Sequence, residues 1–192
     1  MKKKGSVNVN ENLIANGQIL LCSGNGFVSG GIEDLTGVVD GEKWSHVAVV
    51  GPDSANGDKM IYESTCERGV SCTTVQSYLN NYQGSGRSYD GKIYLYELAD
   101  PPRPLDLAGG NGVLFAHLGW PYSRKDINNI LIEAIVEGKT VIDLETDALY
   151  CAMLAALFFG GAGLPIALSN GRNYFVPCDF AQKLFRQVAR IQ

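Results

Sequence analysis

Trp44-Ser45-His46-Val47-Ala48-Val49-Val50, the loop Gly51-Pro52-Asp53-Ser54-Ala55-Asn56-Gly57-Asp58, and Lys59-Met60-Ile61-Tyr62-Glu63-Ser64 read together as a β-hairpin. Two short runs rich in β-branched and aromatic residues flank a segment dense in turn formers, the pattern of antiparallel strands joined by a loop. Placing Val50 opposite Lys59 sets a register in which His46 faces Glu63. Directly opposed Cβ atoms lie about 4.5–5.5 Å apart, within reach of a hydrogen-bonded pair. A slip of one residue would send the two side chains to opposite faces.

Outward from the hairpin, Gly17–Cys22 is a short apolar run and reads as a buried strand, while the alternating Lys92–Leu98 reads as a fourth. Ser23–Gly41 is glycine-rich and is expected to be a loop with a short helix at Ser29–Leu35. Asp100–Pro104 is proline-rich and ends the β region. Beyond it the pattern turns helical. Asp126–Val136 carries Ile127, Ile130, Leu131, Ala134 and Ile135 at helical spacing, and Ala148–Phe159 follows with Asp147 as its expected N-cap. Asp179–Arg190, with Phe180, Leu184, Phe185 and Val188 on one side, reads as a last helix. Strands first and helices afterwards predict an α+β fold with helices packed on an antiparallel sheet.

The 192 residues are 45% hydrophobic and 19% charged, with a net charge of −4. That balance buries a core and excludes a disordered chain. An acidic surface argues against nucleic acid as a partner, since phosphate binding needs a basic face. Residues 1–16 read as a polar leader and residues 17–192 as one domain. Met1-Lys2-Lys3-Lys4 is followed by no apolar stretch of signal-peptide length, so the chain is expected to be cytoplasmic, with delivery outside the cell by another route left open. Ala148–Leu168 lacks charge, but Gly160-Gly161-Ala162-Gly163 and Pro165 break it, so no integral membrane segment is expected.

Chemistry has few places to sit, because the chain holds two histidines, His46 and His117. A carboxylate beside His46 would fix the imidazole tautomer and stabilise its cation, the orienting role in a nucleophile–base–orienter set; a purely structural His–Glu pair would use the same two residues. Cys151 lies in the first turn of the expected Ala148–Phe159 helix, where free N–H groups and the helix dipole favour a thiolate. The competing reading is a small apolar residue in a buried helix. Five cysteines cannot all pair, and Cys22, Cys66, Cys72 and Cys178 have no comparable placement. Gly24-Asn25-Gly26-Phe27-Val28-Ser29-Gly30 misses the dinucleotide spacing at Ser29, and no Cys/His spacing fits zinc. No cofactor or metal is expected. His117, near Phe115, Leu118 and Trp120, reads as a satisfied core or edge histidine.

Gly17–Leu21, Trp44–Val50 and Ile61–Ser64, followed by Leu118-Gly119-Trp120-Pro121-Tyr122, Leu149–Leu154 and Val176–Phe180, resemble in order the circularly permuted NlpC-like papain-fold hydrolases. The lecithin-retinol acyltransferases are more distant relatives. The resemblance implies a small antiparallel sheet or partial barrel packed against a nucleophile-bearing helix. It implies Cys151 as nucleophile, His46 as general base and Glu63 as orienting group. Tyr122 is expected on the substrate or oxyanion side, with Trp44 and Ser45, next to His46, also at the substrate. One position departs from the family, which has Ser directly after the cysteine where this chain has Ala152. Ser123–Thr146 is longer than the family pattern and is expected to wall the cleft. The implied activity is cysteine-dependent hydrolysis of amide bonds in peptides of cell-wall type. The alternatives are lipid acyl hydrolysis or transfer by the same residues, and an inactive binding module.

Overall fold

The computed structural model describes residues 9–24, 42–136, 147–166, 168, 173–181 and 184–192. The expected loop and short helix at Ser29–Leu35, and residues 137–146 of the expected cleft wall, lie outside the described residues. Among the described residues, six strands form one open, wholly antiparallel sheet: β1 Ile19–Gly24, β2 His46–Val50, β3 Met60–Thr65, β4 Gly69–Thr74, β5 Gly91–Leu98 and β6 Phe185–Arg190, in the order β4-β3-β2-β1-β5-β6. The described helices are α1 Val75–Asn80, α2 Leu107–His117, α3 Arg124–Val136 and α4 Cys151–Gly161. The class is therefore α+β, with an open sheet instead of a partial barrel.

Strict alternation along the strands gives the sheet two buried faces. Ile19, Leu21, Val47, Val49, Tyr62 and Tyr96 face a layer that includes Leu114 of α2 and Leu154, Phe158 and Phe159 of α4. Leu20, Cys22, Ala48, Val50, Ile61 and Leu95 face Val75, Tyr78 and Leu79 of α1, together with Tyr89 and Ile14. Ile14, inside the expected leader, is thus part of the core. No described helix is long and apolar enough to cross a membrane.

Helices α2 and α4 run antiparallel in close contact, with the Asp106 N–H donating to Ala162 O at 3.0 Å. Glycine permits the approach: a Cβ at Gly109 would lie 2.4 Å from the Gly161 carbonyl oxygen, and one at Gly110 would lie 2.7 Å from the Phe158 ring. Asp106 caps α2 by accepting from the Gly109 N–H at 3.0 Å.

Three sequence expectations are corrected. Val50 pairs with Ile61 and not with Lys59, a shift of two residues, because the loop closes on itself. Ser54 binds the backbone N–H groups of Asn56 and Asp58, and Lys59 turns back to Asp53 at 2.8 Å. The expected helix Asp179–Arg190 is instead a 3₁₀ turn, Pro177–Ala181, followed by strand β6. Pairing with β5 and the Arg186–Glu97 ion pair at 2.7 Å hold this segment extended, while Phe180 and Phe185 enter the core from two separate elements. Helix α4 begins at Cys151, not Ala148, and its N-cap is Tyr150, not the exposed Asp147. The preceding residues are held extended: Leu149 N–H donates to Pro121 O, and Leu149 O accepts from Ser123 N–H and from Ser64 Oγ at 2.6 Å.

Candidate active site

The start of β2 and the start of α4 meet at one end of the sheet. The two-residue register shift keeps His46 and Glu63 on the same face, because side chains alternate with period two. Their contact is diagonal: extending the Val50–Ile61 pairing puts Ala48, not His46, opposite Glu63. The long side chains close the distance, and His46 Nε2 lies 2.8 Å from Glu63 Oε2. The histidine side chain is 14% exposed and the carboxylate 4%. With Nε2 engaged by the carboxylate, Nδ1 is the ring nitrogen left to face the neighbouring Cys151 side chain.

The late start of α4 makes Cys151 its first helical residue. Tyr150 supplies no side-chain cap to the orphan N–H groups of the first turn. Its hydroxyl instead accepts from the Phe175 N–H at 3.0 Å and pins the chain entering the helix. The backbone N–H groups of Val47 and Ala152 lie near the Cys151 sulfur and favour its thiolate. Burial opposes a charge there, but the His46 cation, its hydrogen bond and these two amides outweigh it, and the thiol sits below its ordinary pKa. Burial likewise lowers the basicity of His46, but the facing thiolate and then Glu63 raise it further, so the ring favours the cation. The pair is poised as thiolate and imidazolium.

The other nominated residues are placed as follows. Tyr122 is partly buried, and its backbone forms a bridge with Leu149, two residues before Cys151; its side chain lies beside that of Cys66. Trp44 and Ser45, expected at the substrate, are both buried. Trp44 is 0% exposed and packs edge-on against Tyr94 and Tyr96 at 5.3 and 5.9 Å. Ser45 is buried, accepting from the Gly24 N–H at 2.9 Å and donating to Cys22 O. Both occupy the strand-end core because β1 and β5 close over them. His117 donates from Nδ1 to Val113 O at 2.7 Å and stacks edge-on with Trp120. All five cysteines are free thiols. Sequence reasoning missed Ser64, whose hydroxyl ties β3 to the residue pair preceding Cys151; a serine inside a β-rich run gives no sign of that role.

No known protein-family profile matches the chain, and no curated protein matches it. Among solved structures it is similar to the metalloprotein YiiX from Escherichia coli O157:H7, with a TM-score of 0.55 and 13% identity. The match covers 91% of this chain and 96% of YiiX. At this identity the likeness is one of fold, spanning nearly the whole of both chains. YiiX is described as a metalloprotein. In this chain, among the described residues, no group of three or more His, Cys, Asp or Glu side chains is arranged to hold a metal ion.

Proposed function

We propose that this protein is a cysteine hydrolase of amide bonds in which Cys151 is the nucleophile, His46 the general base and Glu63 the orienting group. The observation that carries the reading is the chain of contacts from the Glu63 carboxylate through His46, at 2.8 Å, to a thiol on the first residue of an uncapped helix. An ordinary buried cysteine has its pKa raised, as burial does to Cys22, whereas Cys151 is lowered.

The chemistry follows from these groups. The thiolate attacks the substrate carbonyl carbon, and the carbonyl electrons move onto oxygen. First-turn N–H groups of α4, that of Cys151 among them, stabilise the oxyanion. Collapse breaks the C–N bond, and the amine departs with the proton held by His46. Water then gives a proton to His46 as its oxygen attacks the thioester, releasing the acid and restoring the Cys151 thiolate beside protonated His46. Glu63 holds the ring in place while the charge on the ring changes. Resemblance to the NlpC-like hydrolases supports a peptide of cell-wall type as substrate. The test is to incubate the protein and Cys151→Ala with peptidoglycan fragments and follow release of new amino groups. We expect the variant to lose at least about 10³-fold in rate. Equal release by both ends the proposal.

A further inference from the structure

Behind the His46–Glu63 pair lies a cluster of tyrosines that the mechanism above does not use. Tyr82 opens a 3₁₀ turn, Tyr82–Gly84, just after α1, and its hydroxyl donates to Glu63 Oε2 at 3.3 Å. This is the same oxygen that His46 Nε2 contacts at 2.8 Å. The Tyr82 ring is fixed between two others, edge-on to Tyr78 at 5.1 Å and to Tyr89 at 4.9 Å. Its backbone is pinned as well: Tyr82 N–H donates to Arg87 O at 2.7 Å, and Asn81 Oδ1 accepts from the Gly86 N–H. The next residue, Gln83, adopts φ 54°, ψ 23°, the left-handed region that a side chain makes costly. Strain of this kind persists where surrounding contacts over-determine a conformation. Here they determine where one hydroxyl sits.

We propose that Tyr82 is a positioning residue, which locks the Glu63 carboxylate in the orientation that holds His46 and, through His46, the Cys151 thiolate. The inference rests on the Cys151–His46–Glu63 reading. A carboxylate bound by one donor can rotate about its last bond; a second donor of fixed position removes that freedom. The hydroxyl also supplies a hydrogen bond to a buried carboxylate that water barely reaches. Around Glu63 stand His46 from β2, Cys22 from β1, Tyr78 from α1, and Tyr82 and Tyr89 from the segment that follows. Burial and the Glu63 charge push the Tyr82 hydroxyl above its ordinary pKa, so it remains a donor wherever the pair functions. Tyr82 touches neither the thiol nor the substrate carbonyl.

The test is the pH profile of Cys151 alkylation by iodoacetamide, read by mass spectrometry on the peptide that carries it. Tyr82→Phe keeps both ring contacts and removes only the donor. We expect its profile to move up by about half a pH unit, about threefold slower alkylation on the acid limb. In a Glu63→Gln background the same substitution should add nothing, since the group it acts on is already altered. 3-Fluorotyrosine at position 82, a stronger donor on the same ring, should move the profile down. A Tyr82→Phe profile identical to wild type, or an equal shift with and without Glu63, overturns the positioning role. A wild-type Cys151 no more reactive than an ordinary thiol overturns the underlying reading instead.

Discussion

Replacing Gly109 with alanine measures how tightly α2 is pressed against the helix that carries Cys151. The new Cβ would lie 2.4 Å from the Gly161 carbonyl oxygen, about 1 Å inside the 3.4 Å at which ordinary contact begins. The obstacle is backbone, so the helices themselves must part. A gap of about 0.5–1 Å forfeits roughly a quarter to a half of the dispersion energy of each contact it opens. Overpacking a filled interior costs about 1–3 kcal/mol, and a rigid obstacle puts this site at the upper end. Alanine recovers about 1 kcal/mol through helix propensity, leaving a net loss of about 2 kcal/mol. Gly112 is the control on the same helix, because a Cβ there would meet nothing within 4 Å. Gly112→Ala should therefore stabilise by up to about 1 kcal/mol. Urea unfolding separates the two: with a slope of about 2 kcal/mol per molar, Gly109→Ala lowers the midpoint by about 1 M while Gly112→Ala raises it. If both variants rise together, the close approach of α2 to α4 is not what the glycine serves.

Two further outcomes follow from the site and the core. His46→Ala removes the cation that lowers the Cys151 pKa but leaves the burial that raises it, so the thiolate is lost at higher pH than in the wild type. The alkylation midpoint of Cys151 should therefore rise; a midpoint that stays low would show that the helix amides alone depress the thiol. Trp44→Ala should cost about 3–5 kcal/mol by thermal or urea unfolding, as expected for an aromatic residue removed from a full interior. A variant of unchanged stability but weakened substrate binding would return Trp44 to the substrate side.

The central strands were legible because alternation and β-branched residues mark them, and the loop around Ser54–Asp58 announces the hairpin. His46 and Glu63 were nominated through a register that is two residues off. They still meet because an even shift preserves the face, and because histidine and glutamate are long enough to bridge the diagonal. Helix α2 was invisible for a physical reason: Leu107–His117 contains Gly109, Gly110 and Gly112, poor helix formers whose lack of side chains matters only once α4 lies against them. Edge strand β6 was misread because Phe180, Leu184, Phe185 and Val188 fit a helical stripe, and only the ladder with β5 decides against it. Tyr82 carried no signal, since nothing local distinguishes a tyrosine that reaches a carboxylate on another element.

Cys151 and the two residues proposed to act with it come from distant parts of the chain: β2 and β3 supply His46 and Glu63, while Cys151 arrives on α4. During synthesis His46 and Glu63 emerge first, and Cys151 emerges as one of five equivalent cysteines. Cys151 acquires its distinct reactivity only when α4 docks against the sheet. Nascent or partly unfolded chains thus carry Cys151 as an ordinary thiol. It also makes the alkylation rate of a single cysteine a direct report on completion of the tertiary fold.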